Sequence, residues 1–278
     1  MLRNQTLFNA SMQPSLRSEQ YVRDAASKTI WIFWAQGWSN APRLALNCAS
    51  SWAYHNPAWN VVRLSLQTLT RYEVRPEDND YAFVPSATSA HYADLVRMEL
   101  LRRWGGLWVD ASIFCIQSID TWMTNASNMP AFFAKRWGIN VANNLLYARG
   151  PRELIPSMMC VALKIFWIHP HEIKRIDSCY FIWNTLFNCL VRIHPDFHTA
   201  YRATPSLLSA RSTDMLTSRS TGYGSLLGNI SMSSSLKQSV QSLPFVKLSF
   251  YHSVPSQPNS IMQYFLDWVP SYESVREG

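Results

Sequence analysis

Two successive glycines, Gly105 and Gly106, separate a helical stretch from a short apolar run that ends in an acid. No other feature narrows the possible folds as much. From Ser89 to Arg103 the apolar residues recur at helical spacing, with Ser89 placed as the cap. A glycine pair ends such a helix and lets the chain reverse tightly. Leu107-Trp108-Val109 then reads as a strand that delivers Asp110 at its C-terminal end. Helix, reversal and buried strand are the repeating step of an α/β sheet, whose ligand crevice lies outside the carboxyl ends of its strands.

The same alternation is legible upstream. Lys28 to Ala35 (KTIWIFWA) is a continuous apolar run rich in Ile, Trp and Phe, which predicts a buried strand. Gln36-Gly37-Trp38-Ser39-Asn40 follows as a loop, with Asn40 expected to cap the next helix and Pro42 to open it. Leu44, Cys48, Trp52 and Ala53 keep helical spacing until Asn56-Pro57 stops them. Asn60 to Leu64 predicts a second strand, and Leu66 to Tyr72 a short helix before an acidic loop, Glu73 to Asp80. The expected fold class is therefore α/β, a Rossmann-like mixed sheet flanked by helices.

The C-terminal half is more helical. Arg152–Ile168 and Ile176–Ile193 are periodic, Phe245–Tyr251 reads as a late strand, and Ile261–Trp268 as a closing helix. Pro205 to Ser242 is a long Ser/Thr-rich stretch of the kind used for lids and binding loops. Residues 1–28 are polar and read as a loose arm, which leaves 29–278 as a single domain.

Composition removes several classes. Hydrophobic residues make up 47% of the 278, which excludes a disordered chain. Met158–Ile168, an apolar run, is about half the ~20 residues needed to span a bilayer, so no transmembrane segment is expected. The start, MLRNQTLFNASMQ, lacks the apolar core of a secretory signal. Five scattered cysteines without a CxxC pair then read as reduced thiols of a cytoplasmic protein. The net charge of +7 comes mostly from arginines that are spread along the chain. Without a basic run, an RNP motif or a zinc motif, nucleic acid is not an expected partner.

Chemistry concentrates around the glycine pair. Asp94 and Arg97 stand i,i+3 on one helix face, and His91 joins that face one turn earlier. With Asp110 at the strand end, they are placed to converge on one polar ligand. On spacing alone, the same residues also fit a surface helix with a local ion pair and a turn aspartate.

The block Ala93-Asp94-Leu95-x-Arg97-x-x-Leu100-Leu101-x-x-x-Gly105-Gly106-x-Trp108-x-Asp110-Ala111-Ser112 resembles the capsular polysaccharide synthesis glycosyltransferases, relatives of the family thirty-two α-mannosyltransferases and clostridial toxin glucosyltransferases. The likeness continues in Ile30 to Gly37, Asn40-Ala41-Pro42, Ser51-Trp52 and Asn56-Pro57, and more weakly in Tyr180 to Phe187 and Lys247-Leu248. The resemblance implies a GT-A-like fold, with residues 29–115 as a nucleotide-sugar-binding half and 116–278 as an acceptor-side half. It implies transfer of a sugar from a nucleoside-diphosphate donor to a glycan acceptor, with retention of configuration. Asp94 and Arg97 match the pair that holds the donor sugar, and Asp110 the first acid of a D-x-D. Trp34, Gln36 and Gly37 match a loop lining the nucleotide pocket.

The last acid of D-x-D is replaced by Ser112, and Asn184 stands where a His is often found. Mn²⁺ or Mg²⁺ is the implied cofactor, with Asp110, Ser112 and His252 as its candidate ligands. Sugar–diphosphate cleavage needs the leaving phosphates neutralised by a hard cation or by Arg and Lys, and Lys247 or His252 on the late strand is suited to close over them. Trp108, Trp34 and Trp38 adjoin the crevice, whereas Trp31, Trp52 and Trp183 fit core positions. His169 and His171 flank Pro170 and read as surface residues rather than a metal pair. No G-x-S-x-G elbow or phosphate-cradling glycine motif occurs. A second expectation, motivated by Ser112, is a sugar-binding module that kept the fold and lost catalysis.

Overall fold

The computed structural model describes residues 28–74, 89–124, 131–135, 141–168, 181–208, 231–248 and 258–269. Eight strands run through it: β1 (Thr29–Phe33), β2 (Asn60–Leu64), β3 (Gly106–Asp110), β4 (Ile113–Cys115), β5 (Ala131–Lys135), β6 (Val141–Ala148), β7 (Ser206–Leu208) and β8 (Phe245–Lys247). The helices are α1 (Arg43–His55), α2 (Ser89–Trp104), α3 (Ile119–Trp122), α4 (Leu154–Ile168), α5 (Ile182–Ile193), α6 (Pro195–Ala203), α7 (Ser234–Gln241) and α8 (Ile261–Leu266).

Six strands form one mixed sheet in the order β2-β1-β3-β6-β5-β7, and β4 pairs with β8 in a separate ribbon. β1 runs parallel to β2 and β3, while β6 is antiparallel to β3 and β5. The apolar runs are explained by burial on both faces. Ile30 and Ile32 of β1, with Leu107 and Val109 of β3, pack on the α1 side. Their alternates Trp31, Phe33 and Trp108 pack with α2, α4 and α5 on the opposite side. A third cluster joins Leu44 and Cys48 of α1 to Phe114, Val246 and Phe265.

The glycine pair does what its position predicts. Gly105 and Gly106 both adopt positive φ, 72° and 89°, and turn α2 directly into β3. The Trp31 indole donates to the Gly105 carbonyl at 2.8 Å, which ties this reversal to β1.

Several expectations need correction. Asn40 does not cap α1; it ends a 3-10 turn, Trp38–Asn40, and Pro42 takes the N-cap position with extended backbone. Proline has no N–H to donate, but its carbonyl accepts from Ala45 and Leu46. The expected helix from Leu66 shrinks to a 3-10 turn, Leu69–Tyr72. Strands β4, β5 and β6 and helices α3 and α6 were not anticipated, and the Ser/Thr-rich stretch read as a loop holds strand β7 and helix α7. The Asn143-Asn144 pair interrupts the apolar pattern of β6 and hides it from a periodicity reading. The arm, residues 169–180 and most of the Ser/Thr-rich stretch lie outside the described residues.

Candidate active site

β1 and β3 run parallel in a register that sets Phe33 beside Asp110. The loop Trp34–Gly37 therefore leaves the sheet next to Asp110, at the carboxyl edge where crevices form. On the other flank, the β3–β6 ladder ends at Val109 and Leu145. Between Phe133 and Ala134, the β5–β6 pairing jumps from Leu146 to Ala142, so Asn143 and Asn144 sit in an irregularity. Such irregularities re-aim side chains next to ligand sites.

One guanidinium organises the centre. Arg97 Nη1 donates to Asp94 Oδ1 at 2.5 Å, and Nη2 donates to Asp110 Oδ1 at 2.8 Å. The Arg97 side chain is only 4% exposed, so this is a buried bridge and not a surface ion pair. The planar fork sets a separate nitrogen on each carboxylate, a fixed geometry that a single ammonium does not reproduce. Trp108 supports it from below: its ring lies 4.9 Å from the Arg97 guanidinium carbon, and its indole donates to Asp110 Oδ1 at 3.0 Å. Asn143 Nδ2 donates to Asp94 Oδ1 at 3.0 Å.

Lys247 completes the cluster from β8. Ile113 pairs with Lys247 across the β4–β8 ribbon, which brings the ammonium to 2.8 Å from Asp110 Oδ2 and 2.5 Å from Ser112 Oγ. The two carboxylates are driven apart in acidity. Burial pushes the Asp94 carboxyl up to about 6, against the pull of Arg97 and Asn143. Burial also opposes ionisation of Asp110, but Lys247 and then Arg97 outweigh it and hold that carboxyl below its ordinary value.

Asp94, Arg97, Asp110, Ser112 and Lys247 are thus brought together. Trp108 is close to them but 1% exposed, so it props Asp110 and Arg97 and offers no free face to a ligand. His91 is also buried, with its ring 5.2 Å from that of Trp167 on α4. Trp34 is half-buried, Gln36 is exposed, and Gly37 has φ 89° with open space around it. Trp38 is anchored by its indole to the Leu64 carbonyl at 2.9 Å. Asn184 donates to the Val141 carbonyl at 2.8 Å, which steadies the start of β6. His252, a candidate metal ligand, lies outside the described residues.

A D-x-D-type divalent ion does not fit the described donors as they stand. Asp110 Oδ1 already accepts from Arg97 and Trp108, and its Oδ2 and the Ser112 hydroxyl both accept from Lys247. Among the described residues, no group of three or more His, Cys, Asp or Glu could hold a metal ion. The same residues contain no helix long and apolar enough to cross a membrane.

The sequence model of the family described as "Capsular polysaccharide synthesis protein" matches residues 6–221. The glycosyltransferase afumC of Aspergillus fumigatus is 28% identical over 138 residues, which is 46% of this chain and 35% of that protein. The O-glycosyltransferase braB of Annulohypoxylon truncatum is 29% identical over 105 residues, 34% of this chain and 25% of that protein. The chain therefore spans about a third or less of these curated relatives. In three dimensions it superposes on the glycosyltransferase GlyE of Streptococcus pneumoniae with a TM-score of 0.50, covering 88% of this chain and 61% of that one at 8% identity. At that identity the likeness concerns the fold alone: an α/β mixed sheet between helices.

Proposed function

This chain belongs to the capsular polysaccharide synthesis protein family, and from that premise we propose that it is a GT-A-type glycosyltransferase. It takes a UDP- or GDP-linked sugar as donor and a glycan hydroxyl as acceptor, with retention at the anomeric carbon. The observation that carries the reading is the buried Arg97 bridge between Asp94 and Asp110 at the carboxyl edge of β1 and β3.

Transfer breaks the bond between the anomeric carbon and the phosphate oxygen. The electron pair leaves with the diphosphate, and the acceptor oxygen bonds the carbon and passes its proton to the departing phosphate oxygen. Asp94, ionised near neutral pH, accepts hydrogen bonds from donor-sugar hydroxyls, while Arg97 and Lys247 offer positive charge where negative charge develops. Asp110 keeps both cations aimed. The Trp34–Gly37 loop lines the nucleotide side. Among the described residues Cys48, Cys115, Cys160 and Cys189 are unbridged, which supports a cytoplasmic setting.

The test is release of free nucleoside diphosphate from a panel of UDP- and GDP-sugars, with and without a glycan acceptor. Acceptor-stimulated release by the native chain, lost in Asp94→Ala and Asp110→Ala while both still unfold cooperatively, supports the reading. The second reading, a donor-binding module without catalysis, is favoured by the engagement of both Asp110 oxygens with protein cations. It predicts donor binding with no diphosphate release.

A further inference from the structure

Resting on the donor-site reading above, we propose that Lys247 is the built-in cation of this site, so that the diphosphate of the donor is bound without a divalent metal. Two carboxylates around a divalent ion and one carboxylate beside one ammonium are both charge-balanced arrangements. This chain has the second. Ser112 supplies a neutral oxygen where a second acid would sit, and the Lys247 ammonium lies on that oxygen and on Asp110 Oδ2 at 2.5 and 2.8 Å.

The placement is structural, not a chance contact of a long side chain. Lys247 is held in register opposite Ile113, and the next residue, Leu248, donates its N–H to the Ser112 carbonyl at 2.7 Å. The ribbon thus brackets Ser112 by backbone and side chain together. An ammonium has three donors, and Asp110 and Ser112 take two of those of Lys247. Its side chain is 31% exposed, so the third N–H can be reached from solvent. An oxygen of a diphosphate is the acceptor that suits it. A dication entering beside Ser112 would meet an ammonium already on Asp110 Oδ2, the oxygen of that carboxylate that is not bonded to Arg97.

The experiment is equilibrium binding of UDP and GDP to the full chain, in EDTA and in Mn²⁺. The native chain should bind at least one of the two nucleotides with affinities in the two buffers agreeing within about twofold. One charge-assisted hydrogen bond to phosphate corresponds to about 10- to 100-fold in affinity. Lys247→Met should lose that much in EDTA, and Lys247→Arg should keep most of it. Ser112→Asp, which adds a carboxylate, should make binding respond to Mn²⁺. Thermal unfolding of each variant separates lost binding from lost fold. Native binding that falls tenfold or more in EDTA overturns the inference and leaves the donor site standing. Binding to neither nucleotide in either buffer overturns both.

Discussion

Asn143 reaches from β6 to within 3.0 Å of Asp94 Oδ1, on the oxygen that Arg97 also engages. The contact ties the antiparallel half of the sheet to the helix that carries Asp94 and Arg97. It also bears on protonation, because a donated hydrogen bond favours the ionised carboxylate. With Asp94 pushed up to about 6 mainly by burial, the group titrates within a range that solution experiments reach easily.

If Asp94 must be ionised to accept hydrogen bonds from the sugar, kcat/KM should fall on the acid side with a midpoint near pH 6. One pH unit below that midpoint, the rate should be about tenfold under its plateau. Asn143→Leu removes a contact that holds the pKa down, so its acid limb should move to higher pH. A native profile that stays flat to pH 5 would remove Asp94 from this role.

Arg97→Lys keeps one charge but replaces the fork, one nitrogen on Asp94 and one on Asp110, by a single point charge. Loss of one preorganised donor should lower kcat by about 10²- to 10³-fold. Because the side chain is buried, the fold should also lose about 1–3 kcal/mol, the cost of leaving a buried partner unpaired. The readouts are diphosphate release and chemical denaturation; near-native turnover would show that a point charge suffices.

Gly105 and Gly37 give a contrasting pair. A Cβ on Gly105 would stand 2.7 Å from the Gly150 Cα and 2.9 Å from the Ala148 carbonyl oxygen, both backbone atoms, at φ +72°. Gly105→Ala should therefore cost about 2–5 kcal/mol, from overpacking and left-handed strain combined. Since Gly105 joins α2 to β3, any shift there also disturbs the Arg97–Asp110 bond. Gly37→Ala meets nothing within 4 Å and carries only the strain of its φ of +89°, about 1 kcal/mol. Denaturation midpoints of the two variants decide it, and equal losses would contradict the packing argument.

What could be read from the chain was what local pattern encodes. Asp94, Arg97 and Asp110 were legible because a helix face, a glycine reversal and a strand end place them within one continuous segment. Trp31, Trp52 and Trp183 were assigned to the core from their elements, and they are 3%, 0% and 1% exposed. Helical spacing put His91 on the face of Asp94, but spacing does not reveal that α4 covers it with Trp167. Asn143 had no local signal, since its partner lies 49 residues away and two asparagines obscure its strand. Lys247 was visible as a cation on a late strand. Its seat on Asp110 depends on a pairing across 137 residues that no periodicity encodes.

Glu99 illustrates the same limit and yields a test of stability. In sequence it is the second of two acids in an arginine-rich helix, yet its side chain is 3% exposed and bonds Arg102, Arg103 and Lys164 of α4. Burial alone would raise its pKa, but the hydrogen bonds and charges of Lys164 and Arg102 outweigh it and hold the carboxyl at about 2. The folded value lies below the ordinary 4.5, so the native state binds this proton less readily than the unfolded chain does. The stabilisation is complete above about pH 4.5 and is lost as the pH falls towards 2. Glu99→Gln should cost about 1–3 kcal/mol at pH 7, because it takes the counter-charge from three partly exposed cations that converge on one buried carboxylate. It should also flatten the decline of stability between pH 4.5 and 2. Denaturant melts of both proteins across that range decide the point; parallel curves would mean that Glu99 is not the group whose protonation loosens the packing of α2 against α4.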